Sequence, residues 1–166
     1  MSVSDVTQTR LIQGTGIALS GFLTGYITLF SVIDRQALLT APTTETAKLW
    51  QHVYNIGKTT APPMAIVAGG IFGYLAYRAP NRDLARLYGA AAAIIPSIAP
   101  FTIFVMKATN DALHAAADKG ATESQQIHAL LDHWWKLNAV RALLVGTGTV
   151  LGVLASVRVA VSTVRL

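Results

Sequence analysis

The sequence predicts an all-α integral membrane protein: a four-helix bundle with a helical extramembrane cap on one side. Three observations carry that prediction. Apolar residues make up 52% of the 166 positions and Asp, Glu, Lys and Arg only 13%, against roughly 25% charged in an ordinary soluble domain. Mean hydropathy is +0.47. Four runs nearly free of charge follow one another, and the stretches between them carry helical periodicity. The length suits one domain, residues 1–166, with spans at about 11–33, 59–77, 87–106 and 140–161.

The elements follow in chain order. A helix needs about 20 apolar residues to cross a hydrocarbon core about 30 Å thick. Leu11–Ile33, Thr59–Tyr77 and Leu87–Val105 each meet that length. The first reads as a retained span, because a single basic residue precedes it and its 23 uncharged residues exceed a signal-peptide core. Thr44–Ile56 is predicted to form an amphipathic helix with Leu49, Trp50, Val53 and Ile56 along one side. The second span is then expected to begin at Pro62 and Pro63, which suit a first helical turn. Lys107–Lys119 extends the third span outside the membrane and stops at Gly120. Thr122–Gln125 fits a capping box, from which one helix runs into the fourth span. That span has 16 residues between Arg141 and Arg158, so one of the two guanidinium groups must reach toward the headgroups.

Basic residues set the orientation. The N-terminal tail, the Arg78–Arg86 turn and the C-terminal tail hold six Lys and Arg beside two acidic residues. The two long connections hold seven basic residues beside six acidic ones. The expectation is a multi-pass protein with both termini and the short turn cytoplasmic. Both long connections then share the opposite side. So few charges leave no dense basic face for a phosphate backbone, so no nucleic-acid partner is expected, and the bilayer is the first partner.

Small residues mark predicted contact ridges: Gly14, Ala18, Gly21 and Gly25 on the first span, Gly148, Gly152 and Ser156 on the fourth. Such ridges serve packing within one chain or in a homo-oligomer. Pro96 and Pro100 each remove a backbone hydrogen bond from the third span. They either shape the bundle or widen a cavity.

The polar residues converge at one boundary. The seam Ile127, Leu130, Leu131, Trp134 continues at helical spacing into Asn138 and Arg141. An amide and a guanidinium on an otherwise apolar face need partners or a wet pocket. Asn110 and His114 share a face with Met106 at the end of the third span. The first connection adds His52, Tyr54, Asn55 and Lys58 on the same predicted side. With no cysteine there are no disulfides, thiolate ligands or Cys nucleophiles. None of the four histidines pairs at i, i+4, the spacing that would set two imidazoles on one helix face. No metal site is expected, although iron or copper stays open.

These residues resemble the anthrone oxygenase family, small four-span membrane proteins of fungal polyketide pathways. The resemblance rests on three segments. Trp50, Tyr54, Gly57, Pro62 and Pro63 lead into the apolar run to Tyr74 and Ala76. Ala99-Pro100-Phe101-Thr102 leads to Met106, Thr109-Asn110 and Leu113, with Ala108 where the family pattern has proline. Trp134, Leu137-Asn138 and Arg141 at fixed offsets form the most specific segment.

The resemblance implies a monooxygenase of secondary-metabolite biosynthesis. It would oxidise an anthrone-type aromatic polyketide to a quinone with dioxygen as co-substrate and no cofactor, in an endomembrane such as the endoplasmic reticulum. On that reading Arg141 partners the enolate oxygen, Asn138 and Asn110 hold phenolic and carbonyl oxygens, and Trp134 and Trp50 stack on the rings. His114 or His52 is the base, with Tyr54 after them. The alternative is a non-catalytic accessory or scaffold protein, in which Trp134, Asn138 and Arg141 form a structural clasp.

Overall fold

The computed structural model describes residues 3–40, 42–119 and 124–164. Among them every regular element is helical. In order they are α1 (Val3–Thr40), α2 (Thr43–Tyr77), α3 (Arg82–Ile94), a 3-10 turn (Ile95–Ser97), α4 (Ile98–Phe104), α5 (Lys107–Lys119) and α6 (Ser124–Val164). Four stretches are long and apolar enough to cross a membrane: Ser4–Val32, Glu45–Tyr77, Arg82–Phe104 and Gln125–Ala160. The predicted all-α bundle of apolar helices is thereby found. The Gly120 stop and the Thr122-Glu123 half of the capping box lie outside the described residues.

Local chemistry explains most helix ends. Asn81 caps α3: its backbone is extended and its side-chain oxygen accepts from the Leu84 amide at 3.0 Å. Pro96 occupies the 3-10 turn, where its missing N–H and its ring break the α-helical ladder. A second break falls at Val105–Met106, where both backbone amides point back to the Phe101 carbonyl. The carbonyl of fully buried Met106 then accepts the Asn110 amide and starts α5.

At the second span the structure differs from the expectation. Pro62 and Pro63 do not begin a helix; α2 runs through them without interruption from Thr43 to Tyr77. Neither proline can donate to the carbonyl four residues earlier, so Lys58 and Thr59 lose their intrahelical partners. Just before them, Thr59 and Thr60 turn their hydroxyls back onto the Ile56 carbonyl, both at 2.9 Å, and reinforce the turn that the prolines weaken.

The chain forms two compact units. The first contains Met1–Thr24, Pro63–Ile98 and Leu143–Leu166. Its core holds Leu23, Phe72, Tyr88, Ile95 and Val145, all essentially buried. Phe72 stacks on Tyr88, with ring centroids 6.2 Å apart. Tyr88 also joins a short polar chain, accepting from Gln13 at 2.8 Å and meeting Ser156 at 3.1 Å. Glycines set the close approaches here. A Cβ at Gly148 would collide with Ile95, and one at Gly152 with the Phe72 ring.

The Gly148–Gly152 ridge is therefore a contact surface, as predicted, whereas the ridge on the first span makes no contact within the described chain. Gly14, Ala18, Gly21 and Gly25 are exposed, and a Cβ added at any of the three glycines meets nothing within 4 Å. The packed face of α1 in this unit is Gln13, Gly16, Ser20 and Leu23. Spacing alone finds a stripe of small residues on a helix; it does not say which stripe faces a neighbour.

The second unit contains Gly25–Pro62 and Ala99–Ala142. Its core joins Trp50, Met106, Leu113, Ile127, Leu131 and Trp134, so the predicted α6 seam is buried. The predicted α2 stripe is rotated. Thr46, Ala47, Trp50 and Ala61 are buried, while Leu49 and Ile56 are exposed. The indole of Trp50 sets the inward face, because its large area dominates the gain from burial.

Candidate functional site

The second unit encloses a cavity of about 270 Å³. Pockets for small molecules run from about 300 Å³ upward, so the space suits one compact ligand. Helix α1 contributes Tyr26, Ile27 and Phe30 to the wall, and α4 contributes Ala99, Thr102 and Ile103. Helix α2 adds Val53, Tyr54, Gly57, Lys58, Ala61 and Pro62, and α6 adds Trp134, Asn138 and Arg141. The wall is mostly aliphatic and aromatic, with polar groups on one turn of α2 and one of α6. Among the described residues no Asp or Glu lines it.

Arg141 and Asn138 form the polar centre. They sit three residues apart on α6, so their side chains lie on one face. The Arg141 guanidinium donates through Nη1 to Asn138 Oδ1 at 2.9 Å. Asn138 spends both its amide hydrogens on α1, donating to the Ile27 carbonyl at 3.1 Å and to Ser31 Oγ at 2.9 Å. Asn138 is thus fully engaged: it holds the guanidinium and has no donor left for a ligand. Arg141 Nε is buried and meets no partner among the described residues. Arg141 thus presents a guanidinium on a mostly apolar wall, with no acidic partner among the described residues.

A second chain of contacts fixes the aromatic wall. Trp134 Nε1 donates to Asn110 Oδ1 at 3.1 Å, and Asn110 Nδ2 donates to the Tyr54 hydroxyl at 3.4 Å. Asn110 is buried and outside the cavity lining, so it orients two wall residues from behind. Trp50 lies behind the wall too. It stacks on Tyr54 at 5.1 Å and meets Trp134 edge-on at 5.9 Å.

Neither predicted histidine lines the cavity. His52 is exposed on α2. His114 is half-buried with its ring edge-on to Tyr54 and Trp50, both at 5.0 Å. Its Nδ1 lies 3.1 Å from Gln51 Nε2, and the same nitrogen donates to Asp118 at 3.2 Å. Asp118 fixes which end of the Gln51 amide carries hydrogens, because the reversed amide would set its oxygen against a carboxylate. Nδ1 is then the acceptor of the Gln51 hydrogen bond.

Of the predicted site residues, the cavity brings together Arg141, Asn138, Trp134 and Tyr54. Asn110, Trp50 and His114 stand behind Tyr54 and Trp134, and His52 stands apart. Tyr26 and Phe30 lie unmarked inside an apolar run, and nothing in their spacing separates them from core, while Thr102 enters only through the segment that carries the resemblance. Lys58 shares a helical turn with Tyr54 and holds its ammonium 5.7 Å from the Tyr54 ring centroid. Among the described residues no three His, Cys, Asp or Glu side chains gather where one metal ion could bridge them.

Residues 50–151 match the anthrone oxygenase family profile. The chain is 33% identical to the anthrone oxygenase tpcL of Aspergillus fumigatus over 147 residues, covering 86% of this chain and 91% of that protein. It is 31% identical to the anthrone oxygenase encC of the same fungus over 163 residues, covering 84% and 90%. The noranthrone monooxygenase of Aspergillus flavus shares 33% identity over 111 residues, covering 63% of this chain and 53% of that protein. No solved structure matches this chain. The matched segment contains most of the cavity wall and all of Trp50, Tyr54, Asn110, Trp134, Asn138 and Arg141.

Proposed function

The chain belongs to the anthrone oxygenase family, and from that premise we propose that it oxidises the methylene of an anthrone-type aromatic polyketide to a quinone carbonyl with dioxygen. The balance is one anthrone and one dioxygen to one quinone and one water. Loss of a methylene proton gives the enolate, which is electron-rich enough to reduce dioxygen directly. A carbon–oxygen bond forms, and the hydroperoxide expels water across the remaining C–H bond to leave the carbonyl.

Each step asks something of this cavity. Its apolar aromatic walls suit a flat tricycle, with Trp134 against the ring face. Arg141 receives the enolate oxygen, and its guanidinium on the wall of a mostly apolar cavity is the observation that carries the reading. Asn138 and Asn110 act as positioning residues for Arg141 and for the Trp134–Tyr54 wall. Proton transfer falls to Tyr54 by elimination. Tyr26 and Tyr54 are the two ionisable lining groups other than the cations, and Tyr26 is tied to the Thr60 hydroxyl at 2.8 Å. Thr60 already gives its hydrogen to Ile56, so Tyr26 is the donor in that pair.

The reading sets the four long apolar helices in an endomembrane, that of the endoplasmic reticulum, with both termini cytoplasmic, where a poorly soluble polyketide concentrates. Charge distribution supports the orientation. The test is oxygen uptake by detergent-purified, chelator-treated protein given a simple anthrone, with the quinone followed by its colour. Uptake above the spontaneous rate, lost in a folded Arg141→Ala variant, is expected. Full turnover in that variant overturns the assignment, and turnover that returns only with added iron or copper overturns its cofactor-free form.

A further inference from the structure

The cavity carries one more positive charge than an enolate needs. Arg141 and Lys58 both line it, and among the described residues no carboxylate does. Among the described residues neither cation has an acidic partner. The two also differ in depth. Arg141 Nε is sealed from solvent, whereas Lys58 is exposed on α2 with its ammonium 5.7 Å from the centre of the Tyr54 ring. A monoanionic ligand with its oxygen on Arg141 would leave Lys58 unanswered at the rim. An ammonium held over an aromatic face beside an apolar space is placed to meet a second anion at the outer edge of the same ligand.

We infer that the preferred ligand is a flat aromatic acid: its enolate oxygen faces Arg141, and a peripheral carboxylate pairs with Lys58. This inference rests on the proposed function and narrows its substrate class. Polyketide rings that keep the terminal carboxyl group would be accepted ahead of decarboxylated ones. The reaction that removes that carboxyl group would then act after this protein.

The test uses stable quinones, so that binding is read without turnover. Quenching of tryptophan fluorescence is titrated with anthraquinone-2-carboxylate and with neutral anthraquinone, in full-length protein in phosphatidylcholine nanodiscs. The carboxylate is expected to bind about fivefold tighter, the size of one partly exposed charge pair. Lys58→Met should erase that preference while neutral anthraquinone binds unchanged, and Arg141→Met should leave the preference in place. Equal binding of the two quinones to the wild-type protein overturns the inference and leaves the aromatic site intact. Loss of preference in Arg141→Met alone puts the carboxylate on Arg141 and also overturns it. Absence of binding by either quinone overturns the inference and the proposed function together. Nanodiscs with added phosphatidylglycerol decide one more outcome: if anionic lipid abolishes the preference, Lys58 is a headgroup site and the inference fails.

Discussion

Asn138 holds Arg141 from one turn away on the same helix, with its Oδ1 2.9 Å from the guanidinium Nη1. The amide gives its own hydrogens to the Ile27 carbonyl and the Ser31 hydroxyl of α1. One small side chain therefore fixes the direction of the cavity's buried cation and ties α6 to α1.

Asn138→Ala removes all three bonds at once. Two acceptors on α1 and one donor of Arg141 lose their partner, each worth about 0.5–1.5 kcal/mol. Melting temperature and turnover should fall together, the latter at least tenfold. Asn138→Asp should melt higher than Asn138→Ala yet turn over no faster, because a carboxylate would neutralise Arg141. An Asn138→Asp variant with wild-type turnover would show that the free positive charge of Arg141 is not needed.

Trp134→Phe keeps the aromatic wall and deletes the donor to Asn110. Buried Asn110 Oδ1 is then unpaired, at a cost of about 1–3 kcal/mol. Thermal unfolding followed by circular dichroism should show the loss, and Asn110→Leu in the Trp134→Phe background should recover part of it. A double variant no better than the single one would mean that the hydrogen bond carries little.

Tyr54→Phe keeps the stack on Trp50 and removes the hydroxyl. If Tyr54 takes the methylene proton as phenolate, wild-type kcat above the spontaneous rate climbs as pH rises. The variant should lose both the rate and the climb, while its affinity for anthraquinone stays within about twofold, because the ring that forms the wall is kept. An unchanged pH profile would move proton transfer elsewhere.

The two glycine ridges should respond in opposite ways. Gly152→Ala drives a methyl group into the Phe72 ring and should cost about 1–3 kcal/mol. Gly14→Ala meets empty space on an exposed helix face and should be neutral or stabilising by up to about 1 kcal/mol. Melting curves of the two variants settle it, and equal destabilisation would contradict the packing described above.

The sequence reveals the site unevenly, for physical reasons. The seam from Ile127 to Trp134 is legible because burial repeats at the helical period, and Asn138 and Arg141 stand out because polar groups interrupt that seam. Their partners are not legible. Ser31 lies 107 residues from Asn138 in the chain, and it hides as one hydroxyl inside an apolar run. The inward face of α2 is misread for a related reason: Leu49 and Ile56 are exposed, so in a chain this apolar, apolar identity does not mark the inside. The histidines draw attention by residue type alone, and the Gln51–Asp118 contacts that occupy His114 appear only in three dimensions.

On the proposed reaction, the Arg141 guanidinium also bears on how the cycle ends. An anthrone enolate is negative and a quinone is neutral at the same oxygen. The attraction at Arg141 is therefore strongest before oxidation and vanishes as the second carbonyl forms. Product held by ring stacking and, at most, the rim ammonium leaves more readily than substrate arrives at equal concentration. On the proposed reaction, the residue that stabilises the enolate has no ionic hold on the carbonyl that replaces it, and accumulating quinone should inhibit weakly.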